Sequence, residues 1–157
     1  MTQPPPDARA RAEFLFGVWN EQGMEAMAER FWDEDMVWEE ARQFPEAGVH
    51  RGRAACVRQM SERFVEVGEV KIEVVDAHQI GDLTLTEVIV RGQGTASGVP
   101  TEMREFFLTE VRDGRAVRFL EFLDRDEALA AARAEGGEDR PGAEPRAGAD
   151  PRASSSD

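Results

Sequence analysis

An α+β fold with an antiparallel sheet is predicted by three observations in the sequence. The first third carries apolar residues at helical spacing, the rest carries period-two alternation, and short glycine turns separate the alternating runs. In residues 8–32, Phe14, Leu15, Val18 and Trp19 follow i, i+4 spacing, and Gly23 is a helix stop. Beyond it Met24, Met27, Ala28 and Phe31 make a second short helix. The segment Met36–Glu40 reads as a strand, with Met36, Trp38 and Glu40 on one side and Val37 and Glu39 on the other. A Gly/Pro-containing loop over Gln43–Gly52 leads to a third helix over 53–67, striped by Val57, Met60 and Phe64. After Gly68 the period changes: Val70, Ile72 and Val74 alternate with Lys71, Glu73 and Val75. Gly81-Asp82 turns the chain into a strand over Leu83–Arg91, and Gly92–Gly98 is a loop or a bent strand. Met103–Arg112 and Ala116–Leu123 pair about Asp113-Gly114, a strong hairpin signal. Asp124 and Glu127 form a capping box for a last helix that runs to about Ala134.

Composition bounds what such a fold can do. A chain of 157 residues suits one domain, since about two-thirds of the unfolded surface is buried at this size. The organisation expected is a disordered N-terminus at 1–7, a domain at 8–133, and a disordered acidic Pro/Gly/Ala/Ser-rich tail at 134–157. A net charge of −13 without a basic stripe argues against nucleic acid. The single cysteine, Cys56, excludes an internal disulfide framework, and as a packed thiol on the third helix it is no nucleophile. His50 and His78 stand far apart without clustered carboxylates, so no metal site is expected. Gly92-Gln93-Gly94 opens no helix, so no dinucleotide cofactor is expected, and no cofactor of any kind is implied. No run approaches a membrane span, and Met1–Asp7 lacks the order of a secretory signal; a cytoplasmic protein is expected.

Four segments carry a resemblance to a known family. They are Val18-Trp19-Asn20; Phe31 through Trp38-Glu39-Glu40; Pro45-Glu-Ala-Gly48-Val-His50-Arg-Gly52; and Val111-Arg-Asp-Gly114-Arg-Ala-Val-Arg118 running into Glu121-Phe-Leu-Asp124. In this order and spacing, over residues 8–132, they resemble the SnoaL-like branch of the nuclear transport factor 2-like (cystatin-like) superfamily. The resemblance implies a cone: a strongly curved antiparallel sheet wrapped around three helices, plus a short C-terminal helix, with an apolar pocket on the concave side. It also implies a homodimer through the convex face. The strand Arg104–Val111 agrees, because Phe107 and Val111 on one face and Phe106 and Leu108 on the other both require cover.

Two carboxylates are the candidate catalytic groups. Glu40 shares its strand face with Met36 and Trp38, and desolvation at an apolar wall raises a carboxyl pKa toward useful acid/base values. In ketosteroid isomerase-type relatives the matching position is the proton-shuttling carboxylate; the alternative is a solvated Glu40 at the loop start. Glu121 shares a face with Phe119 and Leu123, a costly place for a charge unless paired or functional; an ion pair with Arg104 or Arg118 is the alternative. Trp19, Trp38, His50, Phe64, Phe107 and Thr109 are the expected ligand-pocket residues. The chain has no tyrosine, with Phe14 and Phe16 in the first helix and Phe107 near the position of the second oxyanion donor, so the ketosteroid isomerase oxyanion hole is disfavoured. Val88 and Val90 likewise stand where limonene-type epoxide hydrolases carry an Arg-x-Asp pair. Three readings stand. One is a pocket protein for a small apolar or polycyclic carbonyl compound, as a cofactor-free isomerase, cyclase or dehydratase. The others are a non-catalytic carrier or sensor, and a dimerisation module.

Overall fold

The computed structural model describes residues 7–94 and 98–136. Residues 1–6 and 137–157, most of the two expected disordered ends, lie outside the described residues. Ten elements follow in order: α1 (Ala8–Gln22), α2 (Met24–Phe31), β1 (Trp32–Glu39), β2 (Val49–Arg51), α3 (Arg53–Arg63), β3 (Lys71–Ile80), β4 (Leu83–Gln93), β5 (Pro100–Arg112), β6 (Arg115–Phe122) and α4 (Arg125–Gly136). The domain is thus α+β with one curved, unclosed six-stranded sheet in the order β2-β1-β6-β5-β4-β3.

Local chemistry explains the boundaries. Asp7 caps α1, its Oδ1 accepting from the backbone N–H of Arg9 and Ala10 at 2.9 and 3.2 Å. Gly23, at φ 104°, separates α1 from α2 in a conformation that an L side chain rarely adopts. The Asp113-Gly114 turn places both residues at positive φ, 54° and 81°, and joins β5 to β6. At the start of α4 the Glu127 N–H donates to Asp124 Oδ2 at 2.9 Å, as the capping box predicts. Several boundaries differ from expectation. β1 begins at Trp32 rather than Met36, α3 ends at Arg63 rather than 67, and part of the expected loop at 43–52 is the short strand β2. In β2, His50 pairs with Trp38. The last helix reaches Gly136, so residues 134–136 belong to α4 and not to a tail.

Neighbouring strands are antiparallel except β1 and β6, which run parallel. That pairing joins the N-terminal third to the last strand, setting Trp38 opposite Phe119. Helices α1–α3 cover the inner face with a core that includes Phe16, Trp19, Met27, Met36, Trp38 and Met60. A bulge between Val74 and Asp76 lets Ile72, Val74 and Ala77 all face that core despite unequal spacing. The free edge β3 is tied to α1 by side chains. Asn20 donates from Nδ2 to the Ile72 carbonyl and accepts the Ile72 N–H at Oδ1, both at 2.8 Å, and Trp19 Nε1 donates to the Val70 carbonyl at 3.2 Å. These bonds satisfy polar groups that an open sheet edge would otherwise present.

The outer face has its own cover. α4 lays Ala128 and Ala132, both fully buried, over Leu83, Leu85, Phe106, Leu108 and Leu120. Phe106 and Leu108, the pair that suggested a second copy, are therefore buried within one chain. Ion pairs pin the helix: Arg125 to the buried Glu87, Arg118 to Glu135 at 2.7 Å, and Arg42 to Glu127. No helix among the described residues is long and apolar enough to cross a membrane.

One close approach fixes the connection after α3. A Cβ built on Gly92 would lie 2.3 Å from Val67 Cγ1 and 3.0 Å from the Val67 carbonyl oxygen. Gly92→Ala is expected to cost about 1–3 kcal/mol by overpacking, read as a lower urea midpoint at unchanged slope. Wild-type stability in the variant would mean that the Val67 loop moves freely.

Candidate functional site

The inner face of the sheet and the helices above it enclose a cavity of about 220 Å³. Its wall is aromatic. Phe16, Trp19, Phe64, Phe107 and Phe119 all line it, and Phe107 stands edge-on to Phe119 with ring centroids 5.2 Å apart. Of its ionisable lining, Glu105, Glu121 and Arg63 belong to one connected cluster.

Period-two geometry brings the two carboxyls together. Glu121 on β6 pairs with Phe107 on β5, and Glu105, two residues from Phe107 on the same face, is its diagonal neighbour; both carboxyls project inward and are about 4% exposed. Arg63, the last residue of α3, reaches down to them. Its Nη1 and Nη2 donate to Glu121 Oε2 and Oε1 at 2.7 and 3.0 Å, and Nη2 also donates to Glu40 Oε1 at 2.7 Å. The guanidinium lies 4.0 Å from the Phe44 ring centroid and 4.9 Å from that of Trp38, so aromatic rings flank it while both terminal nitrogens bond the carboxylates. Glu121 Oε1 accepts in addition from the Ala41 N–H at 3.2 Å. On the far side of Arg63, His50 Nε2 lies 2.5 Å from Glu40 Oε2. The chain of contacts runs His50–Glu40–Arg63–Glu121–Glu105.

The cluster sets the protonation of its members. Burial pushes the Glu105 carboxyl well above the ordinary value, and the adjacent charge and hydrogen bond of Glu121 push it further; Arg63 offsets only part of this. Of the pair, Glu105 is the group driven toward its protonated form. Glu40 moves the opposite way. Burial raises it, but the hydrogen bonds and charges of His50 and Arg63 outweigh burial and hold it below its usual value. For Arg63, desolvation is overcome by Glu121 and Glu40, so the net shift is upward and the guanidinium stays charged. The Cys56 thiol, wholly buried and donating toward the Met36 and His50 carbonyls, is pushed up to about 11 by desolvation, a packed thiol rather than a nucleophile.

Of the residues singled out in the sequence, Trp19, Phe64, Phe107, Thr109 and Glu121 line the cavity. Glu40, Trp38 and His50 do not. Glu40 is buried on the expected side of β1, yet Arg63 stands between it and the cavity, because the chain turns away after Glu39 and Glu40 packs toward α3 and β2. Trp38 is stacked parallel on Phe119 at 5.8 Å and buried completely behind it. The partner of Glu121 is Arg63; Arg104 serves Glu87 on the outer face, and Arg118 serves Glu110 and Glu135.

Two site residues escaped the sequence reading. Glu105 carries a usable signal, since it shares strand parity with Phe107 and Thr109. Arg63 carries none, because its partners lie 23 and 58 residues away. No group of three or more His, Cys, Asp or Glu suited to a metal ion occurs among the described residues.

The curved, unclosed six-stranded sheet with its helices is the cystatin-like, ketosteroid isomerase-like fold of α+β domains. Within it, the SnoaL-like domain profile matches residues 12–119, and the chain belongs to that family. Solved structures agree in fold. A hypothetical protein from Catenulispora acidiphila with a ketosteroid isomerase-like fold, crystallised with trimethylamine, superposes at TM-score 0.60 with 14% identity, covering 87% of this chain and 95% of that one. IdmH from Streptomyces antibioticus, a candidate polyketide cyclase, gives TM-score 0.58 and 23% identity over 74% of this chain and 91% of its own. A candidate SnoaL-like polyketide cyclase from Jannaschia gives TM-score 0.60 and 14% identity over 90% and 100%. No protein of curated function matches this chain in sequence.

Proposed function

We propose that the cavity binds a small apolar carbonyl compound and that Glu105 and Glu121 move protons on it without a cofactor. The observation that carries this reading is the buried Glu105–Glu121 carboxyl pair on an aromatic cavity wall, where burial and Glu121 push the Glu105 carboxyl well above its ordinary value. A neutral acid in an apolar site can donate to a carbonyl oxygen, the role the missing tyrosine cannot fill, while a carboxylate beside it accepts an α-proton. The step balances. Glu121 takes the α-proton, Glu105 gives its proton to the oxygen, and an enol results. Reprotonation at carbon from Glu121, with return of the oxygen proton to Glu105, restores both groups. Isomerisation, cyclisation and dehydration of a carbonyl compound each begin with such an enolisation. The volume of about 220 Å³ favours one or two rings.

The test is hydrogen–deuterium exchange. With 2-tetralone in D₂O, wild-type protein is expected to accelerate exchange at the α-carbon over buffer, followed by NMR, while quenching of the cavity residues Trp19 and Trp32 reports binding. Glu121→Gln is expected to bind the ketone and lose the exchange. Binding with no exchange in wild type would support the second reading, a carrier. That reading draws on one observation: three N–H donors already occupy the Glu121 oxygens, which leaves less of the carboxylate open to a substrate.

A further inference from the structure

Resting on the reading of the cavity as a ligand site, we infer that its ligand has two parts: an apolar carbonyl-bearing body inside, and a neutral, hydroxyl-rich group held in a polar basin at the far end. β5 lays out the length of the site, since Glu105, Phe107, Thr109 and Val111 all face the cavity. At about 3.4 Å per residue, Val111 stands roughly 20 Å along the strand from Glu105. There the cavity adjoins a second concavity, with which it shares Arg11, Thr84 and Val111 and which Gln79, Asp82, Glu110 and Arg112 complete. The cavity volume of about 220 Å³ suits a body of one or two rings, so any further part of the ligand would extend past the shared residues into the basin.

The basin's chemistry selects the second part. Arg11 Nη2 and the Thr84 hydroxyl both donate to Gln79 Oε1, at 3.2 and 3.1 Å, and Arg112 pairs with Glu110 at 2.6 Å. The basin carries two acids and two bases, so an anion would meet Asp82 and Glu110 and a cation would meet Arg11 and Arg112. A hydroxyl donates and accepts at once, and a polyol can use both kinds of neighbour without bringing a charge. An aryl ketone bearing a sugar opposite its carbonyl fits both ends.

Calorimetric titration with 4-acetyl-4′-hydroxybiphenyl and with its 4′-O-β-glucoside, a two-ring ketone whose sugar lies far enough from the carbonyl to reach the basin, tests this. The glucoside is expected to bind about tenfold more tightly than the aglycone, and the ratio to fall to within about threefold of one in a Gln79→Ala/Asp82→Ala double variant. Equal or weaker glucoside binding, with the aglycone still bound, overturns the two-part ligand and leaves the cavity reading intact. A ratio that survives the double variant overturns the basin's role. Tighter binding of the aglycone's sulfate ester than of the glucoside overturns its neutrality. Binding of none of the three compounds overturns the cavity reading and this inference together.

Discussion

Arg63→Met is expected to cost about 3–5 kcal/mol at pH 7, the range seen when one partner of a buried ion pair is removed. The methionine keeps the aliphatic bulk but leaves Glu40 and Glu121, with side chains 4% and 2% exposed, facing each other without the charge that separates them. For a domain of this size that corresponds to a melting temperature lower by roughly 10 °C or more. The loss should shrink in acid. Glu40 is held below its usual pKa in the native protein, so the stability it contributes through Arg63 and His50 is present above the unfolded value of 4.5 and disappears as pH falls through the lower folded value. Urea unfolding of wild type and variant at pH 7 and at successively lower pH should therefore converge. Arg63→Lys should fall between them, since an ammonium cannot span both carboxylates with fixed fork geometry. A loss under about 1 kcal/mol for the methionine variant at pH 7 would show that the cluster contributes little to stability.

Glu105→Gln separates proton donation from hydrogen bonding, because the amide still donates toward Glu121 but cannot release a proton at working pH. If Glu105 is the acid, catalysed α-proton exchange should drop by about 10²–10⁴-fold with ligand affinity little changed. Stability should move the other way. The folded pKa of Glu105 is raised above the unfolded 4.5 by burial and by Glu121, so the native state holds this proton more tightly than the unfolded chain does. Its favourable contribution is complete below pH 4.5 and is lost as pH rises through the folded value. The variant lacks this titration. Its thermal midpoint relative to wild type should climb steadily from pH 4.5 upward, and parallel curves across that range would remove the protonated carboxyl from the description.

How far the sequence foretold these features depends on the range of the interaction behind each. Gly23, Asp113-Gly114 and the Asp124/Glu127 cap act over a few residues, and each lies where local chemistry requires it. Strand parity is nearly as local. It placed Glu40 on the buried side of β1 and Glu121 on the inner side of β6, and applied to β5 it reaches Glu105 from Phe107 in one step. It could not tell which side of Arg63 a buried carboxylate would occupy, so Glu40 was expected in the cavity and stands behind it. The outer face shows the same limit. Phe106 and Leu108 announce a second covered surface, but only the fold shows that α4 supplies it. Likewise Arg125, at the start of α4, neutralises the buried Glu87 from 38 residues away.

The parallel pairing of β1 with β6 has a kinetic consequence. Arg63 and Glu40 belong to the first half of the chain and Glu105 and Glu121 to the second; contacts such as Ala41 to Glu121 and Arg42 to Glu127 close loops of 80 and 85 residues. Topologies dominated by such distant pairings fold in milliseconds to seconds, because the loop entropy must be overcome before the contacts form. During synthesis, the guanidinium of Arg63 has no Glu121 to meet until β6 has left the ribosome. Assembly of the carboxyl cluster and closure of the sheet are then one late event, and the stacking of Trp38 on Phe119 marks its completion.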